Sequence, residues 1–255
     1  MTGPAIVTGA SSGIGAATAR ALAAAGHPIA LGARRVERCE AIAGEITAAG
    51  GQAVGLSLDL ADAGSVKDFA AAAESALGPI DVLVSNAGET RLGTGVDVEP
   101  DVFARLLEVN LLGAQRLVSL IAPSMIERAR GDIVFVSSDA VEQPRPRMAS
   151  YVSAKAGLEG LARTMQLELE GSGVRVSIVR PGHTLTEMGS GWDPAVVKDF
   201  IGELKRWGLM RHRGLLRPDD VARVIVHVVS MPRGAHITAV DVQPEAPVKK
   251  PEESS

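Results

Sequence analysis

The chain contains one cysteine, Cys39, and one tyrosine, Tyr151, in 255 residues. A single thiol excludes an internal disulfide and suits a reducing compartment. Positive charge is not in surplus either. The 26 lysines and arginines against 30 aspartates and glutamates leave a formal charge of −4, which argues against a nucleic-acid partner held by bulk positive charge. No apolar run approaches the ~18 uninterrupted residues of a bilayer-spanning helix, so no membrane partner is expected. The first 19 residues carry no charged side chain, but they lack the basic leader of an export signal and are broken by Gly3, Pro4, Thr8, Gly9, Ser11, Ser12, Gly13 and Gly15. A cytoplasmic protein without a metal site is the expectation.

What the chain does have is apolar residues in short alternating blocks. At 46% hydrophobic, it is long enough for one α/β domain with a large core and too short to add a separate substrate domain comfortably. Residues 4–8 read as a buried strand, TGASSGIG at 8–15 as a glycine-rich turn and 16–25 as a helix. Strands follow at 28–33, 53–58, 80–85, 132–138 and 174–179, with a last one at 236–242. Helices are expected over 36–48 and 65–77, from Pro100 past Asn110, and around Tyr151. Nearly continuous apolar strands alternating with helices predict an α/β fold, a doubly wound parallel sheet of about seven strands with helices on both faces. This is a single-domain Rossmann fold, expected to occupy residues 1–243. From Pro244 the composition turns to proline, lysine, glutamate and serine, and residues 244–255 are expected to form a disordered tail.

Ligands of such sheets lie beyond the strand C-termini. Strand, glycine turn and helix in succession point backbone N–H groups and a helix dipole at a phosphate, and Ser11 and Ser12 add hydroxyls there. The second strand runs into Arg34 and Arg35, about twenty residues past the glycines, where an acid takes a free ribose hydroxyl and a base a 2′-phosphate. Two arginines choose the phosphate, so NADP(H) is expected, with NAD(H) as the alternative. Asp59, followed by Leu60, closes the third strand as an acceptor for an adenine amino group or as a turn former. Asn86, Ala87 and Gly88 close the fourth. Asn110 is an amide in an apolar helical setting and needs partners, either as a bridge between helices or as the holder of a water. Past the strand at 174–179 stand Arg180, Pro181, Gly182, His183, Thr184 and Thr186, whose hydroxyls suit a nicotinamide amide; His183 contacts substrate or packs on loop backbone.

Tyr151 and Lys155 stand four residues apart in YVSAK, on one face of a helix. A phenol, with a reference pKa of about 10, needs a nearby positive charge to release its proton usefully. At about 5 Å and an effective dielectric of about 20, Lys155 supplies about 3 kcal/mol, a lowering of about two pKa units. That predicts a phenol near working pH, where general acid–base catalysis is most effective. Ser138 precedes it by thirteen positions.

TGASSGIG, SNAG at 85–88, Asn110, Ser138, YVSAK and PGHTLT, in this order over residues 4 to 242, resemble the short-chain dehydrogenase/reductase family. The resemblance implies an NAD(P)-dependent oxidoreductase acting on a small-molecule alcohol or carbonyl compound. Tyr151 would move the proton, Lys155 hold the nicotinamide ribose and lower the phenol pKa, Ser138 position the carbonyl or alcohol, and Asn110 anchor a water. Gly9, Ser11, Gly13, Ile14 and Gly15 would line the phosphate, Asp59 and Asn86 serve the adenosine half, and Thr186 approach the carboxamide. A homodimer or homotetramer is implied. The chain departs from the pattern at Ser85 and in its ending, where Gln243 and Pro244 replace the TGQ-type turn and DGG of many relatives. The segment 187–217 is expected to lid the pocket. Its Lys205, Arg206, Arg211, Arg213 and Arg217, with Arg145 and Arg147, favour an anionic substrate or else form a solvated face or subunit contact. The competing functional reading is a non-catalytic NADP(H)-binding regulatory protein of the same fold.

Overall fold

Short segments such as Ala5–Thr8 (β1), Ile29–Ala33 (β2), Val82–Ser85 (β4) and Gly131–Val136 (β5) are apolar on both faces, and all four are buried along their whole length. With Ala53–Ser57 (β3), Val174–Pro181 (β6) and Ala239–Val242 (β7) they pair in parallel into one seven-stranded sheet of order β3-β2-β1-β4-β5-β6-β7. The structure is a computed structural model that describes residues 2–210, 212 and 214–248. Arg211 and Arg213, and residues 249–255 of the expected tail, lie outside the described residues.

Alternate side chains of one strand feed opposite faces. Ile6, Ile133 and Phe135 meet Phe69, Leu117, Ile121 and Leu158 from helices Ala63–Leu77 (α3), Gly113–Glu127 (α5) and Ala149–Glu168 (α6). Val7, Leu31 and Val134 meet Leu22, Ile42, Val221 and Ile225 from Gly13–Ala24 (α1), Val36–Ala48 (α2) and Pro218–Val229 (α8). Helix α8, like Pro194–Arg206 (α7) before it, is not among the helices expected above. Its start signals are nonetheless in the sequence: Pro218 opens the first turn, Asp219 and Asp220 follow, and Val221, Ile225, Val228 and Val229 recur on the buried face.

The long helix from Pro100 is not uniform. Pro100–Leu107 (α4) passes through a π-helical turn at Glu108–Leu112 before α5 begins. Such a turn commonly marks a functional position, and here it holds Asn110, 1% exposed. By length and composition the combined helix could cross a bilayer, but half of its most apolar window is buried in the fold, the pattern of a core helix.

One expectation needs correction at the C-terminal end. The last strand is shorter than 236–242, because His236 turns its Nε2 to the Val176 carbonyl at 2.8 Å instead of continuing the ladder. Just beyond it, Pro244 and Glu245 pack so closely on Gly182 and Gly214 that a Cβ on either glycine would lie 3.0 Å or less from them. The connections diverge between β1 and β4, and the cleft opens above the strand ends at that point.

Candidate active site

The cleft has a volume of about 850 Å³ and is lined by the residues that follow β1, β2, β3, β4, β5 and β6. Its floor begins at the glycine turn. Gly9 has φ of 66°, a left-handed conformation that a side chain would strain, and a Cβ there would stand 2.8 Å from Ala87 Cα. Ser12 makes no side-chain cap and the first turn of α1 holds no acid, so the helix N-terminus meets the cleft without a competing carboxylate of its own turn. That donor set fits a dinucleotide pyrophosphate. Gly15 is placed differently. It does not line the cleft; a Cβ there would lie 2.3 Å from Gly9 O and 2.7 Å from Asn86 Nδ2, so its bare backbone lets α1 close onto the strand ends.

At the far end of the cleft, Arg34 pairs with Glu89 at 2.6 Å, and Arg35 donates to Ser11 and Ser12 at 3.2 and 3.0 Å. Asp59 accepts from the Ala61 N–H at 3.0 Å, which is turn-forming behaviour, while still lining the cleft next to Leu60. The Asn86 amide is turned inward: Nδ2 donates to Thr8 O at 2.9 Å, and Thr8 Oγ1 receives the N–H groups of Asn86 and Ala87. Thr184 donates to Gly182 O at 2.9 Å, and Thr186 lies over Gly13, its Cγ2 3.1 Å from where a Cβ would be.

Tyr151, Lys155 and Ser138 meet at the other end, with 6%, 3% and 7% exposure. Lys155 Nζ donates to Val136 O at 2.8 Å and sits 6.0 Å from the Tyr151 ring centre. Asn110 ties the loop to its helix, with Nδ2 donating to Glu89 O and Leu106 O and Oδ1 accepting from Glu89 N–H. Gly88 leaves room between Asn110 Oδ1 and Lys155 Nζ, which lie 2.6 and 3.6 Å from its missing Cβ. Asn110 is thus a bridge whose oxygen also faces this gap.

The electrostatics reverse one expectation. Burial pushes the Tyr151 phenol above its ordinary value, against the opposing effects of the Ser138 hydrogen bond and the Arg145 charge. Burial also brings the Lys155 ammonium down to about 8, with Glu159 pulling the other way. The predicted two-unit lowering of the phenol therefore does not survive, because desolvation outweighs the neighbouring charges.

A family model described as short chain dehydrogenase matches residues 4–196. The chain belongs to the short-chain dehydrogenase family. It is 34% identical over 94% of its length to the glycine betaine reductase ATRR of Emericella nidulans, and 40% identical over 73% to the short chain dehydrogenase MYCFIDRAFT_6125 of Pseudocercospora fijiensis. It spans 18% and 61% of the lengths of those two relatives. Among solved structures, the alcohol dehydrogenase from the archaeon Thermococcus sibiricus complexed with 5-hydroxy-NADP is similar, with a TM-score of 0.83, 30% identity, and coverage of 98% of this chain and 100% of that one.

In this short-chain dehydrogenase most of the described basic residues read from the sequence stand outside the cleft. Lys205, Arg206 and Arg217 do not line the cleft; Arg206 lies over the Trp207 ring and Arg217 pairs with Asp220. Arg147 also stays outside and pairs with Glu203 at 2.8 Å. Among the described residues of this lid-and-loop set, Arg145 reaches the cleft, where Asp139 pairs with it at 2.6 Å. His183 lines the same wall, where burial holds its imidazole below the ordinary value.

Three features of the site go beyond what the sequence led one to expect. Asp139 is one: an acid directly after Ser138 gives no periodic signal, and its importance comes from Arg145 folding back on it. Another is Thr90, 3% exposed, lining the cleft with a hydroxyl that has no partner among the described residues. The third was legible, since Glu159 continues the i, i+4 series from Tyr151 and Lys155 on one helix face. Its carboxylate accepts from Arg180 at 2.6 and 2.7 Å, Ser137 at 2.7 Å and Arg163 at 3.0 Å.

Proposed function

We propose that the protein is an NADP(H)-dependent oxidoreductase that interconverts a secondary alcohol or hydroxy acid and a ketone or aldehyde, with Tyr151 as the general acid and base. The observation that carries the reading is the meeting of a buried phenol, a hydroxyl and an ammonium in the cleft that the glycine turn also lines. The dinucleotide, when bound, supplies or accepts the hydride. Tyr151, its pKa raised by burial, is fully protonated near neutral pH and is a proton donor to a carbonyl oxygen before it is a base. The resting phenol is thus in the state that reduction requires, and oxidation, which starts from the phenolate, should speed up as pH rises. Ser138 donates a hydrogen bond to the same oxygen and orients it. Lys155, charged below about 8, holds the ribose and stabilises the phenolate left after proton transfer.

Arg34 and Arg35 support the NADP(H) preference, as does a similar alcohol dehydrogenase with 5-hydroxy-NADP bound. The proton machinery favours an enzyme over a regulatory binding protein, which needs none of it. The test follows NADPH oxidation with ketones and aldehydes, and NADP⁺ reduction with 3-hydroxy acids and sterols. Turnover of at least one compound is expected; tight NADP⁺ binding with no turnover of any would favour the regulatory reading.

A further inference from the structure

Glu187, in the loop after β6, places its carboxylate between two guanidinium groups at the Arg35 end of the cleft. It is 2.8 Å from Arg35 Nη1 and 2.9 Å from Arg38 Nη1. Arg35 is also the side chain that donates to Ser11 and Ser12 in the glycine turn. Arg35, and then Arg38, hold the Glu187 carboxyl below its ordinary range, so it is an anion at neutral pH. The loop that carries it reaches the substrate end. Met188 N–H donates to Thr186 Oγ1, residues 186–192 line the cleft, and Trp192 meets Phe200 edge to face at 6.3 Å. One carboxylate on the substrate loop thus engages the guanidinium that a cofactor 2′-phosphate needs.

We propose that Glu187 is a cofactor-specificity residue whose carboxylate competes with the 2′-phosphate of NADP(H) for Arg35, so that the phosphate releases the loop 186–192. This rests on the cofactor reading above and adds to it a link between the adenosine end and the substrate end. The exchange is physically accessible because all three side chains are between 42% and 49% exposed, and exposed ion pairs are weak. A phosphate brings more charge and more acceptor oxygens to Arg35 than a carboxylate does. Two anions at one guanidinium repel, so the gain from the phosphate is reduced for as long as Glu187 stays. NAD(H), lacking the phosphate, leaves the Arg35–Glu187 pair intact.

The experiment measures dissociation constants of NADP⁺ and NAD⁺ for the wild type and Glu187→Gln, with hydrogen exchange of residues 186–192 in each complex. Glu187→Gln is expected to tighten NADP⁺ roughly two- to ten-fold and to leave NAD⁺ within about two-fold. In the wild type, NADP⁺ speeds exchange in the loop and NAD⁺ does not; in Glu187→Gln the two complexes exchange alike. Unchanged or weakened NADP⁺ binding, or equal shifts for both cofactors as a plain structural brace would give, overturns the proposal. Equal wild-type affinity for the two cofactors would instead sink the cofactor reading. In that case Glu187→Gln has to bring out a preference for NADP⁺, or this inference falls with it.

Discussion

Glu159→Gln removes a charge that the buried floor of the site is built around. The side chain is 3% exposed and takes both Nε and Nη2 of Arg180, itself 8% exposed, together with the Ser137 hydroxyl. Breaking a buried ion pair from one side costs about 3–5 kcal/mol, because the remaining charge stays desolvated. Glutamine keeps one acceptor oxygen, and Asp241 and Glu142, at 3.6 and 3.5 Å from Arg180 and more than half exposed, take up part of its charge. The expected loss is therefore about 2–3 kcal/mol, or about 4–12 °C in Tm for a chain of this size. Because Glu159 raises the Lys155 pKa, the same change also lets that pKa fall further. Urea unfolding gives the first quantity, and the high-pH limb of the reduction rate, moved to lower pH, gives the second. Stability within about 0.5 kcal/mol of wild type, together with an unmoved limb, would refute the reasoning.

Reduction should be level at neutral pH and fall above about 8, as Lys155 loses its proton; Lys155→Arg, which stays charged, should carry the limb to higher pH at reduced rate. Gly15→Ala forces a methyl against Gly9 O, and calorimetric cofactor titration should show weakened binding although the residue does not line the cleft. Burial is the main cause of the raised Tyr151 pKa and the Asp139 charge a lesser one; Asp139→Asn should therefore move the pH profile of the oxidation rate slightly to lower pH, with a stability loss from the unpaired Arg145 measurable by thermal unfolding.

The sheet was legible because its strands are short, apolar on both faces and separated by helical periodicity, a pattern set by burial alone. The glycine turn and the Tyr151–Lys155 pair were legible because their chemistry depends on local spacing. Long-range charge partners were not. Arg34, Arg35, Arg145 and Arg147 read as free cations in the sequence, yet each meets an acid 6 to 152 positions away: Glu89, Glu187, Asp139 and Glu203. Nothing in the periodicity of a chain encodes such pairings. The sign of the Tyr151 shift failed for a related reason, since the spacing of two charges along a helix says nothing of the burial that only the folded sheet creates.

The most direct measurement compares wild type with Tyr151→Phe for NADPH oxidation by a carbonyl compound that the wild type turns over. Each variant's NADP⁺ dissociation constant is determined alongside. Reduction is expected to fall at least about 100-fold with cofactor affinity nearly unchanged. An undiminished rate in the phenylalanine variant would contradict the assignment of the proton to this phenol.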